Sequence, residues 1–177
     1  MSTKNIFGLL IGIDQYPQNA RLNGCVADSF DMEDYLRQAV PADKLHLVTL
    51  RNHEATKEKI TSAFLQHLSQ AKEDDTVVLH YAGHGSREQA DPAFWSVTPD
   101  RMNEVLVPVD AITPAMTMGN PLADKELKWL IKQIAKNNPH IAIVLDCCNS
   151  GDGTRLDRLG QIDGAVDRVD HAREDRR

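Results

Sequence analysis

Four short apolar runs are the clearest feature of the hydrophobic pattern. They are rich in Val, Ile and Leu, they do not alternate strictly with polar residues, and they occupy residues 6–13, 45–50, 77–82 and 141–145. Continuous apolar runs of this length are typical of strands that are covered on both faces of a sheet. The longest early run is far shorter than the roughly 20 residues that span a bilayer. The pattern therefore predicts four buried strands and no membrane partner.

Segments with helical periodicity separate these runs. Apolar residues recur every three or four positions across residues 26–40, 60–68 and 127–134, and the third segment ends at the sequence Asn-Asn-Pro. Strands that alternate with helices indicate βαβ units, which build a mainly parallel sheet with helices on both faces. The 177 residues are enough for one core. We therefore expect a single α/β domain.

Two stretches depart from this alternation. Residues 83–121 contain five prolines and little helical periodicity, and only residues 105–109 indicate a short strand. A connection this long inside a compact domain is usually functional. From residue 152 onward, half of the residues are Asp, Glu or Arg. We expect a catalytic domain over residues 1–151, followed by a charged, flexible linker over residues 152–177.

Charge and cysteine content narrow the classes of function. Lys and Arg total 20 against 26 Asp and Glu, which gives a net charge of -6. Nucleic-acid binders usually carry the opposite sign, so no nucleic-acid partner is expected. The three cysteines cannot form a disulfide framework, and the first residues do not resemble a signal peptide. These features favour a reducing, cytoplasmic location.

Chemically reactive residues follow two of the predicted strands. His84 lies between two glycines after the third strand, and Cys147 and Cys148 follow the fourth. The carboxyl ends of parallel strands meet at one edge of a sheet, so we expect these residues to meet there. A thiol has a pKa of about 8.5 and needs a nearby base, which His84 can supply before it protonates the leaving amine. The backbone amides of Gly85 and Cys148 could bind an oxyanion, and the pattern predicts a Cys–His site for acyl transfer.

The motifs around these residues resemble those of the metacaspases and related prokaryotic caspase-like cysteine proteases. The likeness lies in His84 within YAGHGS and the cysteines within DCCNSG, and it extends to LLIGIDQY, LNGCVAD, NEVLVPVD and ADKELKWL. It covers about residues 6–151. The resemblance implies a caspase-like three-layer αβα sandwich with a mainly parallel sheet. It also implies that the remaining core strands belong to a small subunit, which would be a partner of this chain.

The resemblance also selects the nucleophile. Neighbouring residues on an extended segment point to opposite faces, so only one of the two adjacent cysteines can face His84. The metacaspase pattern of Asp, a small residue and then the nucleophile selects Cys148, and Cys147 is then expected in the core. The activity implied is that of a cysteine endopeptidase acting on proteins or peptides.

Two carboxylates are implied in the substrate pocket. By resemblance, Asp28 and Asp146, with Cys25 beside them, line the pocket for the residue before the cut. Paired carboxylates bind a guanidinium bidentately, so cleavage after Arg, less often Lys, is expected. Animal caspases, which cut after aspartate, carry an Arg where this chain has Leu22, although Arg21 lies one residue away.

The charged tail agrees with such a preference. We hypothesise that the protein is a zymogen matured by linker cleavage and that the chain end is a processing site. The linker arginines that could be cut are Arg155, Arg158, Arg168, Arg173, Arg176 and Arg177.

Alternatives remain at this stage. His80 and the cysteines could suggest zinc, but His80 lies within a predicted strand and the spacing matches no usual zinc site. Glu104, Asp110 and Asp124 could contribute to a calcium site, yet the acidic clusters are thin and ordinary surface carboxylates are slightly favoured. No cofactor is therefore required, although Ca²⁺ stays possible. An inactive caspase-fold scaffold that binds proteins is the alternative function, and a peptide ligase would use the same acyl-enzyme.

Overall fold

A four-stranded parallel sheet forms the centre of the fold. The computed structural model describes residues 4–17, 20–96, 100–113, 117–147, 156–157 and 161–162. Its strands, in chain order, are β1 (Ile6–Gly12), β2 (Leu45–Arg51), β3 (Thr76–Ala82), β4 (Gly85–Gln89), β5 (Met102–Leu106), β6 (Leu122–Ala123), β7 (His140–Asp146), β8 (Leu156–Asp157) and β9 (Gln161–Ile162). The central sheet has the order β2-β1-β3-β7, with every neighbouring pair parallel. The four predicted strands and the mainly parallel α/β sheet are confirmed.

Helices cover both faces of this sheet. They are α1 (Cys25–Ala39), α2 (Lys57–Gln66) and α3 (Asp124–Ala135), with short 3₁₀ turns at Ala42–Lys44, Asn52–Glu54, Leu68–Gln70, Pro92–Phe94 and Val109–Ala111. On one face, Leu36 of α1 packs with Leu10 and Val78. On the other, apolar residues of α2 and α3 join the larger core cluster with Leu9 and Leu79. This three-layer arrangement follows from the alternation of side chains along each strand, and it is the predicted one.

Helix α1 approaches the sheet closely at Gly12. A Cβ at this position would lie 2.5 Å from the carbonyl oxygen of Cys25 and 2.8 Å from Oγ of Ser29. Only glycine leaves room for this contact. The first turn of α1 is therefore held directly above the carboxyl end of β1.

The proline-rich stretch is more ordered than its sequence indicates. β4, β5 and β6 form a second, antiparallel sheet in the order β4-β5-β6. The strand predicted at residues 105–109 lies instead at Met102–Leu106, so its predicted bounds are wrong by three residues. β4 was not predicted because its sequence, GSREQ, contains no large apolar residue. Most of residues 152–177, the predicted linker, lie outside the described residues, apart from β8 and β9, which pair antiparallel.

Strand β7 differs from the other strands of the central sheet. It lies at the edge of the sheet, and in the described part of the chain its side chains Ile143, Val144 and Leu145 are 40–43% exposed. Leu9 and Leu10 of β1 are fully buried. The prediction that every strand is covered on both faces is therefore wrong for β7, because it lacks a neighbour on its outer side within the described residues.

Among the described residues, no helix is long and apolar enough to cross a membrane.

Candidate active site

The carboxyl ends of β1, β3 and β7 bring most of the predicted site residues to one edge. The N–H of Gly83, just after β3, donates to the carbonyl of Asp146 at the end of β7, at 3.3 Å. His84, in the two-residue connection between β3 and β4, therefore lies beside the strand that leads to the two adjacent cysteines. The expected nucleophile Cys148 lies outside the described residues, and so does its amide. Cys147 is half-buried and packs against the larger core cluster.

The imidazole of His84 is held at one nitrogen. Its Nε2 lies 2.7 Å from the carbonyl oxygen of Ala20, and the side chain is 8% exposed. A carbonyl only accepts, so Nε2 carries the hydrogen and the neutral ring has its lone pair on Nδ1. Burial lowers the pKa of His84, and the hydrogen bond to Ala20 opposes this only in part. The ring is thus a neutral base with Nδ1 available. Sequence reasoning missed Ala20 because a backbone carbonyl has no residue signature.

Two buried tyrosines fix the backbone of His84. The hydroxyl of Tyr16 accepts from the N–H of His84 at 3.1 Å and donates to the carbonyl of Val107 at 2.8 Å. The hydroxyl of Tyr81 lies 2.8 Å from the carbonyl of His84 and 3.0 Å from that of Val107, and it donates to one at a time. A Cβ at Gly83 would lie within 2.9 Å of both hydroxyls, so this position requires glycine.

The same tyrosines also support the ring and its surroundings. The ring centroids of Tyr16 and His84 are 4.6 Å apart. Burial raises the pKa of Tyr16 and of Tyr81 well above the ordinary value of a tyrosine, so both hydroxyls stay protonated and can donate. Neither role was predicted from the sequence, although Tyr16 lies within the LLIGIDQY motif and Tyr81 within YAGHGS.

Residues from α1 and β7 form the acidic part of the edge. Asp14, which follows β1, accepts hydrogen bonds from the N–H groups of Cys25 and Val26 at 3.0 and 3.2 Å and so caps α1. Burial and then the nearby charge of Asp146 raise the pKa of Asp28. The predicted pocket residues Asp28, Asp146 and Cys25 are therefore neighbours in the structure.

Cys25 is the uncharged member of this group of residues. Burial, followed by the negative charge of Asp14, raises the pKa of its thiol to about 12. The thiol therefore stays protonated, and the negative charge of this group of residues lies on the carboxylates. Nearby, Leu22 packs against the core while Arg21 is exposed.

The carboxylates considered for calcium have structural partners. Glu104 pairs with Arg87 at 3.0 Å, and Asp124 pairs with Lys125 at 3.1 Å. Asp110 accepts from the backbone N–H of Lys57. Within the described part of the chain, no group of three or more His, Cys, Asp or Glu residues is arranged to hold a metal ion. His80, considered for zinc, lies inside β3 as predicted.

Comparisons with known proteins agree with the motifs. A family profile described as metacaspase, peptidase C14 domain, matches residues 8–157. Metacaspase-1A of Aspergillus terreus is 26% identical over 172 residues, which cover 94% of this chain and 41% of that protein. Metacaspase-1 of Mycosarcoma maydis is 28% identical over 163 residues, with 89% and 39% covered. The chain thus spans about two fifths of the length of these relatives.

A solved structure supports the fold. A crystal structure of a protein from Geobacter sulfurreducens superposes with a TM-score of 0.63 at 22% identity. The match covers 81% of this chain and 50% of the other. This likeness concerns the fold alone.

Proposed function

Because the chain belongs to the metacaspase family, peptidase C14, we propose that it is the large-subunit region of a caspase-like cysteine endopeptidase. The family is one of cysteine-type endopeptidases, which are hydrolases. The observation that carries the proposal is the fixed imidazole of His84, which leaves Nδ1 available at the edge where β7 ends. In the proposed site, Cys148 is the nucleophile and His84 is the base.

The reaction proceeds through an acyl-enzyme. His84 Nδ1 takes the proton of the Cys148 thiol while the sulfur attacks the peptide carbonyl carbon. The imidazolium then gives this proton to the leaving amine as the C–N bond breaks. A water molecule, deprotonated by the same nitrogen, attacks the thioester and releases the acid and the thiol. The hydrogen bond from Nε2 to Ala20 strengthens as the ring becomes positive, because charged donors form stronger hydrogen bonds.

Backbone amides would stabilise the oxyanion. The N–H of Val107 donates to the carbonyl of His84, which marks a hydrogen-bonded pair at the start of the β4–β5 ladder. Such pairs alternate with non-hydrogen-bonded ones, so the N–H of Gly85, opposite Leu106, points away from β5. This direction supports Gly85, together with Cys148, as an oxyanion donor.

The acidic residues support a preference for basic substrates. Asp28 and Asp146 lie close enough to influence each other, and the neutral thiol of Cys25 adds no competing charge. A guanidinium satisfies two carboxylates better than an ammonium does, so Arg is preferred to Lys. Leu22, at the position where animal caspases carry Arg, offers nothing to an aspartate side chain.

The exposed edge of β7 supports the need for a small subunit. An open, apolar edge strand presents unpaired backbone groups and normally pairs with another strand. We propose that a strand of the small subunit occupies it and that cleavage within residues 152–177 matures the zymogen.

Hydrolysis of fluorogenic peptide amides tests this function. A preparation that includes the small-subunit region should cleave after Arg, more slowly after Lys, and not after Asp. Cys148→Ala should abolish cleavage, while Cys147→Ala, the matched control, should keep most of it. Turnover that survives Cys148→Ala would refute the assignment of the nucleophile, and no turnover of any substrate would favour a scaffold. Intact residues 152–177 in the active preparation would refute maturation in the linker.

A further inference from the structure

His80 lies in the central sheet close to the two acidic residues Asp28 and Asp146. It lies in β3, between Leu10 of β1 and Val144 of β7 in the strand register. Because side chains alternate along a strand, it shares the face of Val78, which packs under α1. Only 4% of its surface is exposed. Asp146 lies two residues beyond Val144 along β7, on this same face of the sheet.

The ring of His80 lacks the partners that a charged imidazole needs. Its Nδ1 is buried and has no hydrogen-bond partner among the described residues. A protonated imidazole carries N–H groups on both nitrogens, and a buried N–H without an acceptor is costly. Burial accordingly lowers the pKa of His80, while Asp28 and Asp146 act in the opposite direction. The ring is neutral at neutral pH.

Among the described residues, the two charges that act on His80 are both carboxylates. Asp28 approaches from α1, with Cys25 beside it, and Asp146 approaches from β7. Towards β1, the same face carries Leu10 and Gly12, and beyond them lies Arg51 of β2, whose guanidinium is paired with Glu33 of α1. In the described part of the chain, neither carboxylate forms an ion pair. Either of two positive charges can therefore balance these carboxylates. One is the basic side chain of a bound substrate, and the other is the protonated imidazole of His80.

We propose that His80 is a positioning residue for substrate specificity, which controls through Asp28 and Asp146 the negative charge offered to a basic substrate side chain. This inference rests on the proposed function, in which the two carboxylates bind Arg. When His80 is neutral, both carboxylates are free for the substrate. When His80 is protonated, its positive charge balances one of the two carboxylates from the side of the sheet. The binding of the basic substrate side chain is then weaker. The proton and the substrate cation therefore oppose each other's binding by the same factor.

The test compares an Arg substrate with its uncharged citrulline analogue. Both peptide amides depend equally on the titration of His84, so the ratio of their kcat/KM values removes that dependence. In the wild-type protease, this ratio should fall on the order of tenfold from about pH 8 to about pH 5, mainly through KM for the Arg substrate. In His80→Gln, which cannot titrate, the decline should be much smaller. The decline that remains comes from protonation of Asp28, because the pKa of this carboxyl is itself raised.

The matched control is His53→Gln. His53 is exposed in the turn after β2, so its replacement should reproduce the wild-type profile. Identical declines in wild type and His80→Gln would overturn the inference. Failure to cleave the Arg substrate at any pH would overturn the proposed function and this inference with it.

A direct titration does not depend on the folding of a His80 variant. In the Cys148→Ala protease, the pKa of the His80 imidazole is measured by NMR with and without an arginine-containing peptide. The peptide should lower the pKa of His80, and its addition should not move the ring resonances of the exposed His53. A protease that cleaves after Arg but shows no change at His80 would overturn this inference alone.

Discussion

Removal of the Tyr16 hydroxyl should weaken both the fold and the reaction. In Tyr16→Phe, the N–H of His84 loses its acceptor at 3.1 Å and is left buried. The carbonyl of Val107 loses a donor at 2.8 Å but keeps the hydroxyl of Tyr81 at 3.0 Å. The ring still packs against His84, so no large cavity forms. One orphaned buried donor predicts a loss of about 1–3 kcal/mol in the free energy of unfolding.

Urea unfolding measures this loss in the free energy of unfolding. An unchanged m-value would show that the substitution changes stability and not the surface exposed on unfolding. The matched control is Tyr35→Phe, because Tyr35 is 66% exposed and its hydroxyl should contribute less than about 0.5 kcal/mol. In the active protease, Tyr16→Phe should also lower kcat by about tenfold, because a small displacement of His84 misplaces its base. A Tyr16→Phe protein as stable as the Tyr35→Phe control would refute the role assigned to this hydroxyl.

Three further predictions concern residues away from the histidine. Gly12→Ala should cost about 1–3 kcal/mol, measured by thermal or urea unfolding, because its Cβ would lie 2.5 Å from the backbone carbonyl of Cys25, which cannot move aside as the end of a flexible side chain could. The Cys25 thiol, with its pKa of about 12, should react with iodoacetamide far more slowly than a free thiol at neutral pH, and rapid labelling by mass spectrometry would contradict this. Burial raises the pKa of Asp75, but N–H donors from Lys72 and Asn5 outweigh it and hold the pKa below its ordinary value. Its contribution to stability is therefore present above about pH 4 and is lost as the pH falls further, so Asp75→Asn should be less stable at neutral pH and the difference should shrink in acid.

The sequence was most informative where burial is complete. β1 and β3 are covered on both faces, and their unbroken apolar runs predicted them correctly. β4 has polar side chains and depends on pairing with β5, so no local pattern could identify it. Periodicity therefore predicted the central sheet but not the smaller one.

The site divides in the same way. His84 was predicted from its chemistry and its position after a strand, and Asp28 and Asp146 from the resemblance to the metacaspases; the structure places all three at one edge. Ala20 contributes only its carbonyl, and Tyr16, although it ends the motif LLIGIDQY, acts on a residue 68 positions away, so neither role could be predicted from the local sequence. The unpartnered nitrogen of His80 also appears only once the neighbouring strands are placed beside it.

Strand β7 has two properties that bear on the control of proteolysis. Its outer side is open in the described structure, and its last residue is Asp146, a carboxylate of the proposed substrate pocket. A strand that docks there would also reduce the conformational freedom of this carboxylate. Subunit assembly and the capacity to select a substrate would then be thermodynamically coupled, so that unassembled chains discriminate poorly between peptides.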